Sequence, residues 1–221
     1  MNVADLFIAE EPNMAASEPL ASLYAETLSP RTDPRYYLFC KRAVDLLLSA
    51  FLFALFAPLF ALIAILVRMD SPGPALFIQK RVGRNGELFD IYKFRSMFAG
   101  SAKYERSPTT SRDPRITRIG RLLRRTSLDE LPQLLNVLLG NMSLVGPRPE
   151  MPFIVRGYSE QQQQRLSVTP GITGLWQLSP CRSFPIHQNI QYDLYYIRNR
   201  TFRMDIAILL RTLFLTMRRG I

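Results

Sequence analysis

Hydrophobic and polar positions divide the chain into stretches of different character. Residues 1–34 mix acids, four prolines and small residues without a sustained period, which predicts a mobile arm rather than packed elements. Residues 46–67 then carry no charge at all, a run that as a helix would be about 33 Å long and able to cross a bilayer. Pro58 falls near its middle, where a proline removes a backbone hydrogen bond and bends a helix. After the stiff turn Ser71-Pro72-Gly73-Pro74, two short strand-like runs at 75–80 and 88–94 flank Gly83–Gly86, predicting a hairpin. Residues 99–113 are polar and turn-rich, a loop. In 114–125 the period becomes helical, with Arg118, Arg121, Arg124 and Arg125 opposite Ile119, Leu122 and Leu123. A leucine-rich helix is predicted at 131–139. Residues 202–219 are apolar on most sides with basic ends, and Arg203, Asp205 and Arg211 mark an interfacial helix rather than a span.

These elements predict an α/β fold, mainly helical, in three parts: an acidic flexible arm at 1–35, a membrane helix at 36–69 and a core at 70–221. Charge adds the orientation. The chain carries +10 and its first 34 residues −5, which leaves +15 on the rest and implies anionic partners. Arg35, Lys41 and Arg42 precede the apolar run, and Arg68, Lys80, Arg81 and Arg84 follow it. Positive charge on both flanks places both in the cytoplasm. A re-entrant helix kinked at Pro58, entering and leaving by one face, satisfies this and is preferred to a straight span. Asp45, four residues after Lys41, is expected near the head groups with that partner in reach. The basic face of 114–125 suits anionic membrane lipids; nucleic acid is the weaker alternative, because stacking aromatics are absent there. Cys40 and Cys181 are too few for a disulfide scaffold and lack metal-site spacing, which fits reduced thiols in the cytosol. No secretory signal leads the chain.

The candidate chemistry lies in SLDELPQLLNVLLGNMSLVGPRP, residues 127–149. Adjacent helical residues point about 100° apart, so Asp129 and Glu130 cannot face each other as a glycosidase pair does. One carboxylate can attack phosphorus while the other holds a divalent cation. The same residues also match a capping box, Ser127-x-x-Glu130, with Pro132 near a helix start, and the two readings are compatible. Lys93 and Arg95 alternate with Tyr92 and Phe94, giving either a solvated strand face or a phosphate clamp. Arg148, between two prolines, is either a solvated loop residue or a rigid bidentate phosphate contact. Gly83-Arg84-Asn85-Gly86 lacks the dinucleotide fingerprint. His187, the only histidine, has no partner at catalytic or metal spacing, Trp176 reads as packed core or interface belt, and Asp193 among aromatics reads as structural.

KRAVD, the apolar run with Pro58, SPGPALFIQKRVGRNGELFDIYKFRSM, DPRITRIGRLLRRTSLDELPQLLNVLLGNMSLVGPRP and TPGITGLWQ occur in that order. This ordered set resembles the bacterial sugar transferases, monotopic polyprenyl-phosphate phosphoglycosyl transferases, over residues 36–221. The resemblance implies an enzyme on the cytosolic face of the bacterial inner membrane. It would transfer sugar 1-phosphate from a UDP-sugar to undecaprenyl phosphate, release UMP and require magnesium. It assigns the nucleophile to Asp129 and the magnesium ligand to Glu130, and it suggests phosphate contacts at Lys93, Arg95, Arg125 and Arg148. The pattern departs after Gln177, where LSPCR puts Arg182 five residues on instead of four; Arg182 takes the family's phosphate position only if the loop bulges. The extra membrane helices of larger members are not seen, which reads as a minimal form. A homodimer is a further candidate assembly. The rivals from other classes are a non-catalytic membrane-surface scaffold and a basic nucleic-acid-binding protein.

Overall fold

The uncharged run folds as two helices rather than one. The computed structural model describes residues 34–101, 108, 110 and 113–220, the side chains of 181, 183 and 217–220 excepted. The expected arm lies outside the described residues save for Pro34 and Arg35, as does part of the expected loop at 99–113. Helix α1 (Arg35–Leu55) and helix α2 (Ala57–Asp70) meet at Phe56 (φ −90°, ψ 4°) with a bend of 60°. The kink expected at Pro58 therefore falls two residues earlier. Proline is tolerated in a first helical turn, where its missing N–H has no intrahelical acceptor, so the break moves ahead of it. Among the described residues no single helix is long and apolar enough to cross a membrane, and only this bent pair passes together.

The first turns of α1 are tied to the protein. Lys41 Nζ donates to Asp205 Oδ2 (2.9 Å) and to the Val145 carbonyl (3.0 Å). Asp45 is buried and accepts from the Leu144 N–H (3.0 Å), so it faces the core rather than the head groups. Arg42 donates to the Val137 and Leu138 carbonyls (2.7 and 3.1 Å). Those carbonyls end helix α4 (Gln133–Leu138), whose last turn has no intrahelical donors of its own.

The hairpin is present. Strand β1 (Leu76–Val82) pairs antiparallel with β2 (Leu88–Phe94), with Leu76 opposite Phe94 and Val82 opposite Leu88. β1 runs two residues beyond the expected 75–80. The turn places Asn85 (φ 55°) and Gly86 (φ 84°) in the left-handed region. Helix α3 (Arg118–Thr126) follows, then α4, then strand β3 (Ser143–Val145). The short helices α5 (Pro152–Val155) and α6 (Glu160–Gln163) lead to strand β4 (Gly171–Thr173), which lies parallel to β3. A Cβ on Gly171 would stand 2.0 Å from the Gly146 nitrogen, so the two backbones approach as only glycine allows. Helices α7 (Leu175–Leu178), α8 (Gln191–Asn199) and α9 (Phe202–Gly220) complete the fold. Among the described residues it is mainly helical, and the strands form two two-stranded sheets.

One core joins Phe89 and Ile91 of β2, Leu134 and Val137 of α4, Leu144 of β3, Tyr196 of α8 and Ile208 of α9. A second joins Ile63 and Val67 of α2 to Phe94 and Leu123, which seats the bent pair on β2 and α3. Asp205, expected on an interfacial surface, is buried and accepts from Tyr37, Lys41 and Tyr196.

Candidate active site around Asp129 and Glu130

Three elements converge on the acidic pair. α3 starts at Thr117, whose Oγ1 accepts the Gly120 N–H (3.0 Å), and ends at Ser127, left-handed at φ 59°. The pair lies on a single 3-10 turn, Leu128–Glu130, and Pro132 caps the start of α4. The expected capping box does not form. Ser127 closes α3 in a left-handed conformation, its side chain makes no cap, and Glu130 turns toward cations instead.

Those cations come from β2 and from the turn after β3. Glu130 Oε1 accepts from Lys93 Nζ (2.7 Å) and Arg148 Nη2 (2.6 Å), and Arg148 Nη1 reaches Oε2 at 3.3 Å. Arg148 thus grips both oxygens of one carboxylate, the geometry a guanidinium fork favours. Burial alone would push the Glu130 carboxyl up, but Arg148 and Lys93 together hold it well below the usual carboxylate range. Lys93 is pushed down by burial and by Arg148, against the pull of Glu130. Glu130 holds the Arg148 guanidinium above its ordinary value.

Asp129 is in a different situation. Among the described residues its carboxylate makes no hydrogen bond or ion pair. Burial, then the neighbouring Glu130 charge, pushes its carboxyl up to about 6 against Lys93, Arg124 and Arg148. It lines a cavity of about 380 Å3 whose walls include Arg81, Lys93 and Arg124 and the apolar Leu76, Phe77 and Ile78. Arg81 Nε and Arg124 Nη1 are buried there without a partner. Burial and then Arg148 depress the Arg81 guanidinium to about 10. Half-buried guanidinium groups with no carboxylate bonded to them among the described residues favour an anion in the cavity.

The structure thus brings Lys93, Arg148, Asp129 and Glu130 together, and distributes the other expected positions differently. Arg95 borders the same cavity, but its guanidinium donates to the Val67, Ser71 and Pro72 carbonyls (3.2, 2.6 and 2.5 Å) and so caps α2. Arg125 is exposed on a neighbouring basic cleft, and Arg124, about 100° round the helix, takes the place at the cavity. Arg182 is exposed on a 3-10 turn, Pro180–Ser183, and does not line the cavity. Arg81 was missed as a site residue. Phe77 stands opposite Lys93 in the hairpin, and residues 77, 79 and 81 share that face, so the register would have revealed it.

For a divalent cation the residues available are the adjacent carboxylates. Among the described residues no group of three or more His, Cys, Asp or Glu forms a ligand cage. Asp129 is unengaged and Glu130 Oε2 has only the 3.3 Å contact, so hard oxygen donors are present. Lys93 and Arg148 oppose a bare dication, and a bound diphosphate would relieve that repulsion. This fits an ion shared between few carboxylates and substrate phosphates.

Comparison with known proteins places the chain in a family. The family model described as bacterial sugar transferase matches residues 36–219. The chain is 40% identical over 196 residues to the undecaprenyl-phosphate galactose phosphotransferase of Salmonella typhimurium, covering 82% of this chain and 41% of that protein. It is 44% identical over 193 residues to the undecaprenyl-phosphate glucose phosphotransferase of Komagataeibacter xylinus, covering 82% and 36%. Against the exopolysaccharide production protein PSS of Rhizobium leguminosarum bv. phaseoli, identity is 42% over 195 residues, covering 83% and 98%. The chain spans about two-fifths of the first two proteins and nearly all of the third. With residues 36–219 of its 221 matched, the chain belongs to the bacterial sugar transferases.

Proposed function

We propose that this protein transfers sugar 1-phosphate from a UDP-sugar to undecaprenyl phosphate and releases UMP. The observation that carries the reading is the contrast within the acidic pair. Asp129 is an unengaged carboxylate facing a cation-lined cavity, and Glu130 beside it is locked by Lys93 and Arg148. Asp129 attacks the sugar-bearing phosphorus; a P–O bond forms to its carboxylate as the bond to UMP breaks. An oxygen of undecaprenyl phosphate then attacks the same phosphorus, and the Asp129 carboxylate is the leaving group. Lys93, Arg81 and Arg124 offset the charge of the phosphates, and Arg148 orients Glu130. Magnesium, held by Glu130 and the donor's phosphates, would supply further neutralisation of phosphate charge. Relatives named for undecaprenyl-phosphate hexose transfer support this substrate class. The product would begin assembly of an exopolysaccharide, O-antigen, capsule or protein-linked glycan.

The bent pair suits a monotopic enzyme on the cytosolic face of the bacterial inner membrane. Arms of 21 and 14 residues are about 31 and 21 Å long. Bent by 60° and set symmetrically, each arm inclines about 30° to the bilayer plane and reaches about 10–16 Å deep. That is one leaflet. Leu47, Phe51, Leu55, Leu62 and Ile65 are exposed along it, as acyl chains require.

The test is UMP release by solubilised protein with magnesium, undecaprenyl phosphate and a panel of UDP-sugars, beside Asp129→Asn. Release with one sugar, lost in the variant, is the expected result. Release undiminished in Asp129→Asn would remove the covalent scheme, and a non-catalytic scaffold would release none in either protein.

A further inference from the structure

Arg165 lies on the 3-10 turn Gln164–Ser167, 4% exposed, outside the cavity that holds Asp129. All three of its nitrogens donate. Nε donates to Asp193 Oδ2 of α8 (2.8 Å), Nη1 to Glu150 Oε2 (2.9 Å) and to the Tyr158 hydroxyl, and Nη2 to the Arg148 carbonyl (2.9 Å). Tyr158 donates in turn to Glu150, and His187 Nδ1 lies 3.3 Å from the other Glu150 oxygen.

The last Arg165 contact connects this cluster to the candidate site. Arg148 stands between Pro147 and Pro149, neither of which has an N–H to anchor the segment. The Pro147 carbonyl accepts from Gly171 N–H (2.9 Å) and the Glu150 carbonyl from Val82 N–H (3.0 Å). At Arg148 itself the carbonyl is held by Arg165. We propose that Arg165 is a positioning residue for Arg148, transmitting the fixed position of α8 through Asp193 to the peptide whose side chain grips Glu130. A buried cluster of one guanidinium and two carboxylates is a poor way to gain stability, since apolar packing commonly serves as well. Its fork, directed at once to a core carboxylate, a turn carboxylate and a main-chain carbonyl, suits the fixing of a backbone. Lysine, with one nitrogen, cannot reproduce three directions.

The inference rests on the proposed function in taking the Arg148–Glu130 pair as part of the reaction machinery, and the experiment separates the two. Arg165→Lys is compared with the parent protein in two measurements. The first is hydrogen exchange of the peptides containing Val82 and Gly171. The second is kcat/KM for UMP release, measured both in the parent and in an Arg148→Lys background. Positioning predicts exchange at least fivefold faster in those two peptides, with α4 and α9 unchanged. It also predicts a fall in kcat/KM of about tenfold in the parent and less than twofold in the Arg148→Lys background, because the residue acts through Arg148. Equal falls in both backgrounds, unchanged exchange at both amides, or faster exchange throughout the core would overturn it. If Arg165→Lys does not fold, Tyr158→Phe removes one arm of the cluster, and the same local pattern is expected at about threefold. A parent without UMP release would sink the proposed function, and the exchange comparison alone would still decide whether Arg165 holds the turn.

Discussion

Asp129 and Glu130 share one 3-10 turn, and their different surroundings give neighbouring carboxyls different proton affinities. Asp129 is pushed up to about 6, so its nucleophilic carboxylate form is lost as pH falls through that value. Glu130, held low by Arg148 and Lys93, stays ionised over the same range. The pH–rate profile of kcat/KM should therefore fall about tenfold per pH unit below about 6, and a rate still flat at pH 5 would contradict the assignment. Arg95 belongs to this scale for the opposite reason. Its removal in Arg95→Ala takes the side-chain donor from the Ser71 and Pro72 carbonyls and leaves Val67 with the Ser71 N–H only, a loss of about 2–3 kcal/mol that thermal unfolding would read as a lower Tm. Sequence alternation correctly put Lys93 and Arg95 apart from Tyr92 and Phe94. It could not say how far each side chain reaches, or that a helix end lay waiting for Arg95. Arg148 was legible because two prolines restrict its backbone, and Arg81 was not, because its place depends on strand register.

Among the elements, α3 is the one whose exact seat matters most. A Cβ on Gly120 would lie 2.0 Å from the Ser96 carbonyl oxygen, so the helix backbone rests directly on the segment after β2. Gly120→Ala must push α3 outward and carry Arg124 away from the cavity. The expected outcome is a destabilisation of about 1–3 kcal/mol together with a raised KM for the UDP-sugar. Normal Tm and KM would mean that the helix seat is slack. The hairpin was legible because glycines at the turn and apolar residues in the strands point to the same structure. The capping box was misread because the residue that would start one helix is needed to finish the one before it. Pro58 announced a break correctly, and the break fell at Phe56 because a proline is comfortable inside the helix it begins. The parallel pairing of β3 with β4 joins segments far apart in sequence, and each is too short to carry a period of its own.

At the scale of the whole molecule, apolar surface concentrates on the bent pair and on one side of α9. That side carries Ile206, Leu210, Leu213 and Phe214, opposite the buried Met204 and Ile208. A re-entrant pair puts Cys40, exposed near the start of α1, and Met69, exposed near the end of α2, on one side of the membrane. In sealed inner-membrane vesicles of Cys181→Ser protein, an impermeant thiol reagent should label Cys40 and an introduced Met69→Cys from the same face. Labelling from opposite faces would make the pair a broken span. The long uncharged run and Pro58 made a broken apolar helix legible from the outset. The inward turn of Asp45 and Asp205 was hidden, because both depend on partners more than ninety residues away.

The most direct measurement is intact-mass analysis of the protein mixed with magnesium and its UDP-sugar while undecaprenyl phosphate is withheld. The expected result is an added mass of one sugar phosphate on the protein, absent in Asp129→Asn and discharged when undecaprenyl phosphate is added. Turnover at the normal rate with no adduct, and with Asp129→Asn still active, would contradict the covalent role of this carboxylate.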